Sequence, residues 1–220
     1  MVYVLTYDYP HRKTQDLLFK LKLKDYEVSV IALPWIDRKN FSPLIPHRFF
    51  KPSNIFPNEL CKKFQFKYQK LQSFDELEIH DYTLIAGAGI IPKRLADSKK
   101  IINSHPAYLP YVRGLDSLKW AIFNGEPIGV TSHIISDETD TGWLIKKEKL
   151  PLYHWDTFHS VAYRQYEMEI ELLANSIEDL KTAKLEPLSN SYCNPHRRMP
   201  HKYEEQLISK FNNLIDAYKN

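Results

Sequence analysis

The sequence predicts an α/β fold, an open and mostly parallel β-sheet with helices on both faces and a helical extension at the C-terminus. Short apolar, β-branched segments alternate with helical patterns from the N-terminus onward. Strand–helix–strand order of this kind is typical of parallel strands joined by crossover helices. All six glycines lie between Gly87 and Gly142. Tight turns and close approaches of the backbone are therefore expected in the middle of the chain.

The N-terminal region predicts the opening of such a sheet. Residues 2–6 are a short apolar run, the leucines that follow recur near helical spacing, and residues 26–33 return to β-branched and apolar types. Residues 34–56 are rich in proline and predict an irregular segment with one possible strand at 47–50.

A second helix is expected over residues 57–71, with Pro57 at its first position, where the missing N–H is tolerated. Its basic run from Lys62 to Lys70 alternates with aromatic residues. We interpret this run as a solvated helix face rather than as a phosphate-binding patch.

The centre of the chain predicts a buried strand at 82–86 that ends in Gly87-Ala88-Gly89, then a short helix after Pro92 and a strand at 100–103. In open α/β sheets ligands bind outside the carboxyl ends of the strands. The segment Asn103-Ser104-His105 is therefore expected at a functional position.

A helix at 115–124, closed by Gly125, precedes two further strands at 128–135 and 143–150. The segment Asp140-Thr141-Gly142 turns the chain from one strand into the next.

A long amphipathic helix is expected over residues 156–182, with Asp156 as its N-cap. A proline-bearing connector then leads to a final helix, whose apolar face at residues 207–218 must be buried against the body or against a second subunit. A homodimer is therefore possible. We place a main domain at residues 1–185 and an extension at 186–220.

The bulk composition excludes several classes of protein. Thirty basic residues against 27 acidic ones give a net charge of +3, too close to balance to indicate a nucleic-acid partner. Two cysteines without paired spacing indicate a reducing compartment. The sequence shows no secretory signal pattern and no run approaching the ~20 apolar residues of a membrane span. We expect a cytoplasmic protein without a membrane partner.

The residues that suggest chemistry are Asn103, His105 and Asp140. Transfer of an acyl group to an amine passes through a tetrahedral intermediate with a negative oxygen, and the attacking nitrogen must lose a proton. Asn103 can donate to that oxygen, and His105, two residues along a strand, projects to the same side with a pKa class suited to proton transfer. Asp140 could orient the imidazole, favour its protonated form or hold a water.

A metal site is the alternative that His105, His133, Asp137 and Asp140 suggest. No pair among them shows a compact ligand spacing. We expect no metal, and taken alone His133 reads as a strand histidine with a satisfied hydrogen bond.

Several separated motifs occur in order around these residues. They are AGAGIIP at 86–92, SHPAYLPYVRG at 104–114, WAI at 120–122, NGE at 124–126, GVTSH at 129–133 and DETDTG at 137–142. Over roughly residues 80–180 the chain resembles the folate-dependent formyltransferase family.

The resemblance implies that residues 1–185 form a Rossmann-like catalytic domain that uses 10-formyltetrahydrofolate. It also implies that Asn103, His105 and Asp140 fill the catalytic triad positions, with His133 nearby. The pterin would lie between two loops and be held mainly by backbone contacts. The implied folate-binding residues are Gly89, Ile90, Leu95, Ser136, Asp137 and Asp140.

Comparison within this family limits which amine is expected to receive the formyl group. The purine-pathway relative carries a glycine-rich phosphate loop after its first strand, whereas residues 7–13 here contain no glycine, so a backbone nest is not expected. The initiator-tRNA relative and the formyltetrahydrofolate hydrolase each add a domain that is not expected here. What remains most similar is the group that formylates a nucleotide-linked amino sugar, often a dideoxy sugar of surface polysaccharide such as lipopolysaccharide O-antigen. A purine-pathway glycinamide ribonucleotide transferase and a non-catalytic folate- or nucleotide-binding module stay open as alternatives.

The acceptor would be bound by charged and aromatic residues near the predicted site. The candidates are Tyr9, Arg12, Lys13, Tyr108, Tyr111, Arg197 and Arg198. The two last lie in the tail motif NPHRRMP at 194–200, where one of them faces a diphosphate or both belong to a basic linker between helices.

Overall fold

The computed structural model describes residues 1–35, 42–48, 51–189 and 191–218, which contain one eight-stranded sheet. The strands are β1 Val2–Tyr7, β2 Val28–Leu33, β3 Lys67–Lys70, β4 Thr83–Ile85, β5 Ile101–His105, β6 Gly129–Ile135, β7 Gly142–Lys149 and β8 Glu186–Leu188. The helices are α1 Arg12–Leu23, α2 Pro57–Phe64, α3 Lys93–Ala96, α4 Ser117–Asn124, α5 Phe158–Asp179 and α6 His201–Asp216, with a 3-10 turn at Phe74–Glu76.

The sheet has the strand order β3-β2-β1-β4-β5-β6-β7-β8. Strands β1 to β5 pair in parallel, and β6, β7 and β8 continue the sheet antiparallel. The predicted open, mostly parallel α/β fold is confirmed. From β1 the chain builds outward to β2 and β3, then crosses back to add β4 on the other side of β1. This reversal creates a crevice at the carboxyl ends of β1 and β4, where such folds bind ligands.

Both faces of the sheet are covered by apolar side chains, as the hydrophobic spacing predicts. On one face α1, α2 and α5 pack on the strands, and Leu17, Leu21 and Leu173 are fully buried there. On the opposite face Leu77 and Leu95 pack against β1 and β2. A third apolar cluster joins α4, the start of α5 and α6. Strand β5, which carries Asn103 and His105, is therefore packed on both faces.

The helix expected over residues 57–71 is wrong beyond Phe64. The chain leaves α2 through Gln65 in the left-handed conformation and then forms the edge strand β3. Phe66 and Tyr68 pack against the core while the lysines point outward. Beyond Phe64 the alternation of lysine and aromatic residues thus follows the strand period of two, whereas Lys62 and Lys63 lie exposed on α2 as expected. Pro57 at the start of α2 is confirmed.

The structure also differs from the sequence prediction at the cap of α5, at residues 47–50 and at strand β8. The cap of α5 is Thr157, whose hydroxyl accepts from the Ser160 N–H, and not Asp156, which instead accepts from the Ser160 hydroxyl. The possible strand at 47–50 lies partly outside the described residues, and its described part is not a strand. Strand β8 was not expected. It pairs with β7, although the division of the chain at residue 185 stays a prediction.

The apolar face of the last helix is buried against the body of the protein. Leu207, Phe211 and Ile215 of α6 pack with residues of α4 and α5. Ile208 and Tyr218 of the predicted face are exposed, and the homodimer stays a prediction. No helix among the described residues is long and apolar enough to cross a membrane.

Candidate active site

A cleft of about 480 Å³ opens at the crevice in the sheet. The ends of β1, β4 and β5 form its floor, with Tyr7, Ala86, Asn103 and His105 among its lining residues. Its other walls come from α1, the segment 42–48, the residues before and within α4, α5 and the residues before α6. Those lining residues are His11, Lys13, Pro43, Pro46, His47, Arg48, Gly114, Leu115, Asp116, Ser117, Glu169 and Arg198.

His105 and Asp140 meet at this floor. The Nδ1 atom of His105 lies 3.2 Å from Oδ1 of Asp140, and because a carboxylate only accepts, Nδ1 carries the proton. The Nε2 atom of His105 is buried and has no hydrogen-bond partner among the described residues. Burying a polar atom without a partner is costly. This nitrogen is therefore the one that is available to a substrate proton.

The carboxylate of Asp140 is fixed by the backbone around it. Its Oδ2 atom accepts the Gly114 N–H at 2.6 Å, and Asp140 itself has a positive φ of 51°. The preceding carbonyl, that of Thr139, accepts from Nε and Nη2 of Arg113 at 3.0 and 2.6 Å. The Arg113-Gly114 turn consequently holds Asp140 through its carboxylate and through the preceding carbonyl.

Asn103 and His133 face each other across the neighbouring strands β5 and β6. Burial lowers the pKa of His133 to about 4, so this ring is neutral at physiological pH. Its Nδ1 donates to the Thr141 carbonyl at 3.0 Å, and its Nε2 is buried without a partner among the described residues. His133 thus lies opposite Asn103 in the sheet, and its neutral ring can accept a hydrogen bond at Nε2.

A buried ion cluster forms the wall beside β5. Glu169 of α5, 1% exposed, binds Lys13 at 2.7 Å and Arg48 at 2.8 Å. Desolvation opposes ionisation of Glu169, yet the two cations still lower the pKa of its carboxyl. Lys13 also donates to the Ser104 carbonyl at 3.2 Å, and therefore ties α1 and α5 to the strand that carries His105.

A family model described as formyl transferase matches residues 12–177 of the chain. This chain belongs to the formyl transferase family. A methionyl-tRNA formyltransferase of Pelobacter propionicus is 31% identical over 120 residues, which are 53% of this chain and 38% of the relative. A dTDP-4-amino-4,6-dideoxyglucose formyltransferase of Mycobacterium bovis is 32% identical over 90 residues, 41% of this chain and 38% of the relative. The chain thus matches well under half the length of these curated relatives.

Solved structures of formyltransferases share the fold. The formyltransferase PseJ from Anoxybacillus kamchatkensis, in complex with UDP-4,6-dideoxy-4-formamido-L-AltNAc and tetrahydrofolate, superposes with a TM-score of 0.59 at 18% identity and covers 98% of this chain and 96% of its own. A phosphoribosylglycinamide formyltransferase from Anaplasma phagocytophilum gives 0.57 at 21% identity and covers 80% and 84%. At these identities the likeness concerns the fold alone.

The residues expected to contact folate lie on the loops at 89–90 and 136–140 and on α3. Ile90 is 94% exposed, whereas Leu95 is buried in the core cluster beneath its loop. The Ser136 hydroxyl bonds that of Thr141, and Asp137 pairs with Lys93 at 3.2 Å. The Lys93–Asp137 pair joins α3 to the 136–140 loop. Gly89 is half-buried, and the folate-binding assignment of all these residues stays a prediction.

The residues expected to bind the acceptor separate into two groups. Lys13 and Arg198 line the cleft. Arg12 is bound to Asp16 at 2.5 Å, Tyr9 stacks on Trp35 outside the cleft lining, and Arg197 is exposed while its carbonyl accepts the Trp120 indole N–H.

Tyr108 and Tyr111 also lie outside the cleft lining. Their rings stack with centroids 6.1 Å apart, and the Lys147 ammonium lies 4.8 Å from the Tyr108 ring centroid. Trp120 stacks on His196 with ring centroids 4.5 Å apart and therefore packs against the residues before α6.

Sequence reasoning missed Glu169, Arg48 and Gln165. Gln165 and Glu169 occupy the buried stripe of α5, and Gln165 donates to the carbonyls of Pro106 and Gly129. Two polar residues at an i, i+4 spacing inside an apolar stripe were a usable signal. Arg48 had none, because it lies in an irregular segment.

No group of three or more His, Cys, Asp or Glu side chains with metal-binding geometry occurs within the described ranges. The expectation of a metal-free site stays a prediction.

Proposed function

We propose that this formyl transferase moves the formyl group of 10-formyltetrahydrofolate to the amine of a nucleotide-linked amino sugar. The observation that carries the proposal is the buried Nε2 of His105, a residue of the cleft floor. This atom has no partner in the part of the chain that the structure describes, Asp140 contacts the other ring nitrogen, and Asn103 lies on the same strand. His133 also has a buried Nε2 without a partner among the described residues, but only His105 lines the cleft and pairs with a carboxylate. An imidazole with one nitrogen held by a carboxylate and the other directed at a cleft suits proton transfer.

The chemistry follows from these three side chains. The acceptor nitrogen attacks the formyl carbon, and the formyl oxygen gains a negative charge that the Asn103 amide stabilises by donating a hydrogen bond. His105 Nε2 takes the proton of the attacking nitrogen and becomes an imidazolium, which Asp140 stabilises through Nδ1. The bond between the formyl carbon and the folate nitrogen then breaks, and His105 returns the proton to that leaving nitrogen.

The sugar-nucleotide acceptor is supported by two observations. One relative with this activity is 32% identical over a segment of 90 residues, and cations line one end of the cleft, as an anionic acceptor requires. Lys13, which follows β1, is bound to Glu169, so the position of the purine enzyme's phosphate loop is occupied by an ion pair here.

The test is transfer by the purified protein from 10-formyltetrahydrofolate to a panel of UDP- and dTDP-linked amino sugars, read by mass spectrometry as a gain of one formyl unit. Glycinamide ribonucleotide belongs in the same panel. Formylation of a sugar nucleotide supports the proposal. Formylation of glycinamide ribonucleotide with none of the sugars, or complementation of a purine auxotroph, would overturn the acceptor assignment.

The catalytic assignment is tested with His105→Ala and Asp140→Asn against His154→Ala, a control on an exposed histidine. We expect both site variants to remain folded and to lose most turnover, while the control keeps it. Turnover near that of the wild type in either site variant would refute the mechanism. An absence of any transfer by the wild type would favour a non-catalytic binding module.

A further inference from the structure

Two arginines from distant parts of the sequence line the same cleft. Arg48 comes from the segment 42–48 and Arg198 from the residues that precede α6. Their side chains are 45% and 41% exposed. Each also contacts one carboxylate: Arg48 binds Glu169 at 2.8 Å and Arg198 lies 3.6 Å from Asp116. Both guanidinium groups are thus oriented by an anion and still reach solvent in the cleft.

The carboxylate of Glu204 connects the segment that carries Arg48 to helices α4 and α6. Glu204 of α6 accepts the Leu44 N–H at 2.8 Å and forms a fully buried ion pair with Lys119 of α4. His201, at the start of the same helix, donates to the Ser42 carbonyl at 2.9 Å. The segment that carries Arg48 is therefore fixed to the helix that Arg198 precedes.

The pKa of His47 responds to the positive charges at this end of the cleft. Burial, followed by the charges of Arg48, Lys119 and Arg198, lowers the pKa of His47 to about 3. The His47 ring is therefore neutral, and the positive charge at this end of the cleft comes from the lysine and arginine side chains. Among the described residues that line this wall, Lys13, Arg48 and Arg198 face the carboxylates of Glu169 and Asp116, three cations against two anions.

We propose that Arg48 and Arg198 form the subsite for the phosphate groups of the acceptor, an inference that rests on the proposed function. Guanidinium groups match phosphate oxygens in pairs of parallel hydrogen bonds. Each arginine has five N–H donors, so a phosphate can be bound while the carboxylates keep the side chains in place. The dyad then acts at one part of the cleft while the arginines hold the acceptor at another.

The experiment measures binding of UDP and dTDP by calorimetry, with uridine and thymidine as phosphate-free probes. The variants are Arg48→Gln and Arg198→Gln, and the comparison is Arg197→Gln, the neighbouring arginine outside the cleft lining. Loss of a charge-assisted contact is expected to weaken binding by about 10-fold or more. Arg197→Gln should change the dissociation constant less than about 2-fold, and nucleoside binding should not respond to any variant.

The outcomes separate the subsite from the function. Wild-type affinity for the diphosphates in both Arg48→Gln and Arg198→Gln would overturn the subsite while formyl transfer stands. So would an equal loss in Arg197→Gln, which would indicate a general effect of charge. A wild-type protein that binds neither nucleoside diphosphate yet formylates another amine would overturn the subsite and the acceptor assignment together.

A second inference rests on a separate set of contacts, made by residues 193–199, here called the strap. The strap runs along the Arg113-Gly114 turn: the His196 N–H donates to the Arg113 carbonyl at 2.8 Å, and the Leu115 N–H donates to the His196 carbonyl at 2.9 Å. Arg113 Nη1 donates to the Cys193 carbonyl at 3.2 Å. The strap therefore pairs with the same turn whose other hydrogen bonds hold Asp140.

The contact at Gly114 leaves no space for a side chain. Gly114 has a φ of +89°, and a Cβ atom there would lie 2.3 Å from the His196 carbonyl oxygen. The His196 ring stacks on Trp120 of α4 with centroids 4.5 Å apart, which fixes the strap from the other side. The Gly114 backbone is therefore in direct contact with the strap and donates its N–H to the Asp140 carboxylate.

We infer that the strap positions the Asp140–His105 dyad, with Gly114 and His196 as positioning residues. The matched test is Gly114→Ala against Gly125→Ala. Both glycines have a positive φ, but a Cβ atom at Gly125 meets nothing within 4 Å. Both variants lose the backbone freedom of glycine, and only the first displaces the strap. We expect kcat to fall about 10-fold or more in Gly114→Ala alone, with the KM for 10-formyltetrahydrofolate within about 2-fold of wild type.

A rescue pair covers the case in which Gly114→Ala does not fold. His196→Ala removes the stacking on Trp120 and should lower kcat, whereas His196→Phe keeps an aromatic ring there and should retain it. Equal kcat values in Gly114→Ala and Gly125→Ala, or in His196→Ala and wild type, would overturn the positioning role.

Discussion

At the scale of single residues, Asn103 is the side chain whose proposed role is purely electrostatic. It lines the cleft on the same strand as His105. In the proposed chemistry its amide donates a hydrogen bond but neither takes up nor releases a proton. We predict that Asn103→Ala lowers kcat by about 10²–10³-fold, the typical cost of one missing oxyanion donor. The measurement is steady-state formyl transfer, with the exposed Asn124→Ala as the control. Wild-type kcat in Asn103→Ala would show that the oxyanion is stabilised elsewhere.

His133 gives a prediction for stability against pH. Burial lowers its pKa to about 4, below the value of about 6.5 in an unfolded chain. Between these values the unfolded chain binds a proton that the folded protein does not. The stabilisation is therefore complete above about pH 6.5 and is lost as the pH falls toward 4, by about 3 kcal/mol. Thermal unfolding from pH 7.5 to 4 measures it.

The control for this prediction is His133→Asn, whose amide can still donate to the Thr141 carbonyl. Its Tm should depend less steeply on pH than that of the wild type. Part of the slope remains, because the pKa of His47 is lowered in the same direction. Equal slopes in the two proteins would contradict the assignment of the slope to His133.

The residues that sequence could predict are those whose signal is local. Asn103 and His105 lie at the carboxyl end of β5 with a spacing of two, and Asp140 lies in a glycine-bearing turn. Pattern and family resemblance together propose all three, and their catalytic roles stay predictions. The structure brings His105 and Asp140 into contact, although they are 35 residues apart in the sequence. Arg48 could not be found in this way, because its position depends on contacts between distant parts of the chain.

At the scale of elements, the junction of α2 and β3 shows how a side-chain pattern can be assigned to the wrong element. Gln65 has a φ of 62°, and the Phe66 N–H caps the helix by donating to the Cys61 carbonyl at 2.9 Å. Glycine is the residue that usually marks such a helix end. A glutamine gives no warning, so the helical pattern was extended to Leu71.

The same junction predicts a stabilising substitution. A left-handed conformation costs a non-glycine residue about 1–2 kcal/mol, and glycine adds flexibility to the unfolded chain that costs about 0.5–1 kcal/mol. Gln65→Gly is therefore expected to raise the free energy of unfolding by about 0.5–1 kcal/mol, measured by urea denaturation. Lys63→Gly, within α2, should lower it by about 1 kcal/mol. A loss of stability in Gln65→Gly would contradict the left-handed helix end.

At the scale of the whole molecule, the cleft is built from both ends of the chain. The sequence predicted six of the eight described strands, all except β3 and β8, and the chemistry that it places at the end of β5 stays a prediction. It did not predict that the segment 42–48 and α6 would meet, because a contact across about 160 residues has no periodicity. The junction depends on Lys119 and Glu204, both fully buried, which no local pattern distinguishes from surface charges.

That buried pair predicts how the molecule unfolds. Glu204→Gln leaves the Lys119 charge buried without a counter-charge, which typically costs about 3–5 kcal/mol. If α6 and the body unfold as one unit, the amides of α6 exchange at the global rate in the wild type, measured by hydrogen exchange with mass spectrometry. In Glu204→Gln we expect α6 and residues 42–48 to exchange together and faster than β1 and β4.

Two variants serve as controls for this prediction. Glu205→Gln, on the exposed side of α6, should change the exchange of neither region. Lys119→Met combined with Glu204→Leu should recover most of the protection from exchange. Unchanged protection of residues 42–48 in Glu204→Gln would show that this wall of the cleft is held independently of α6.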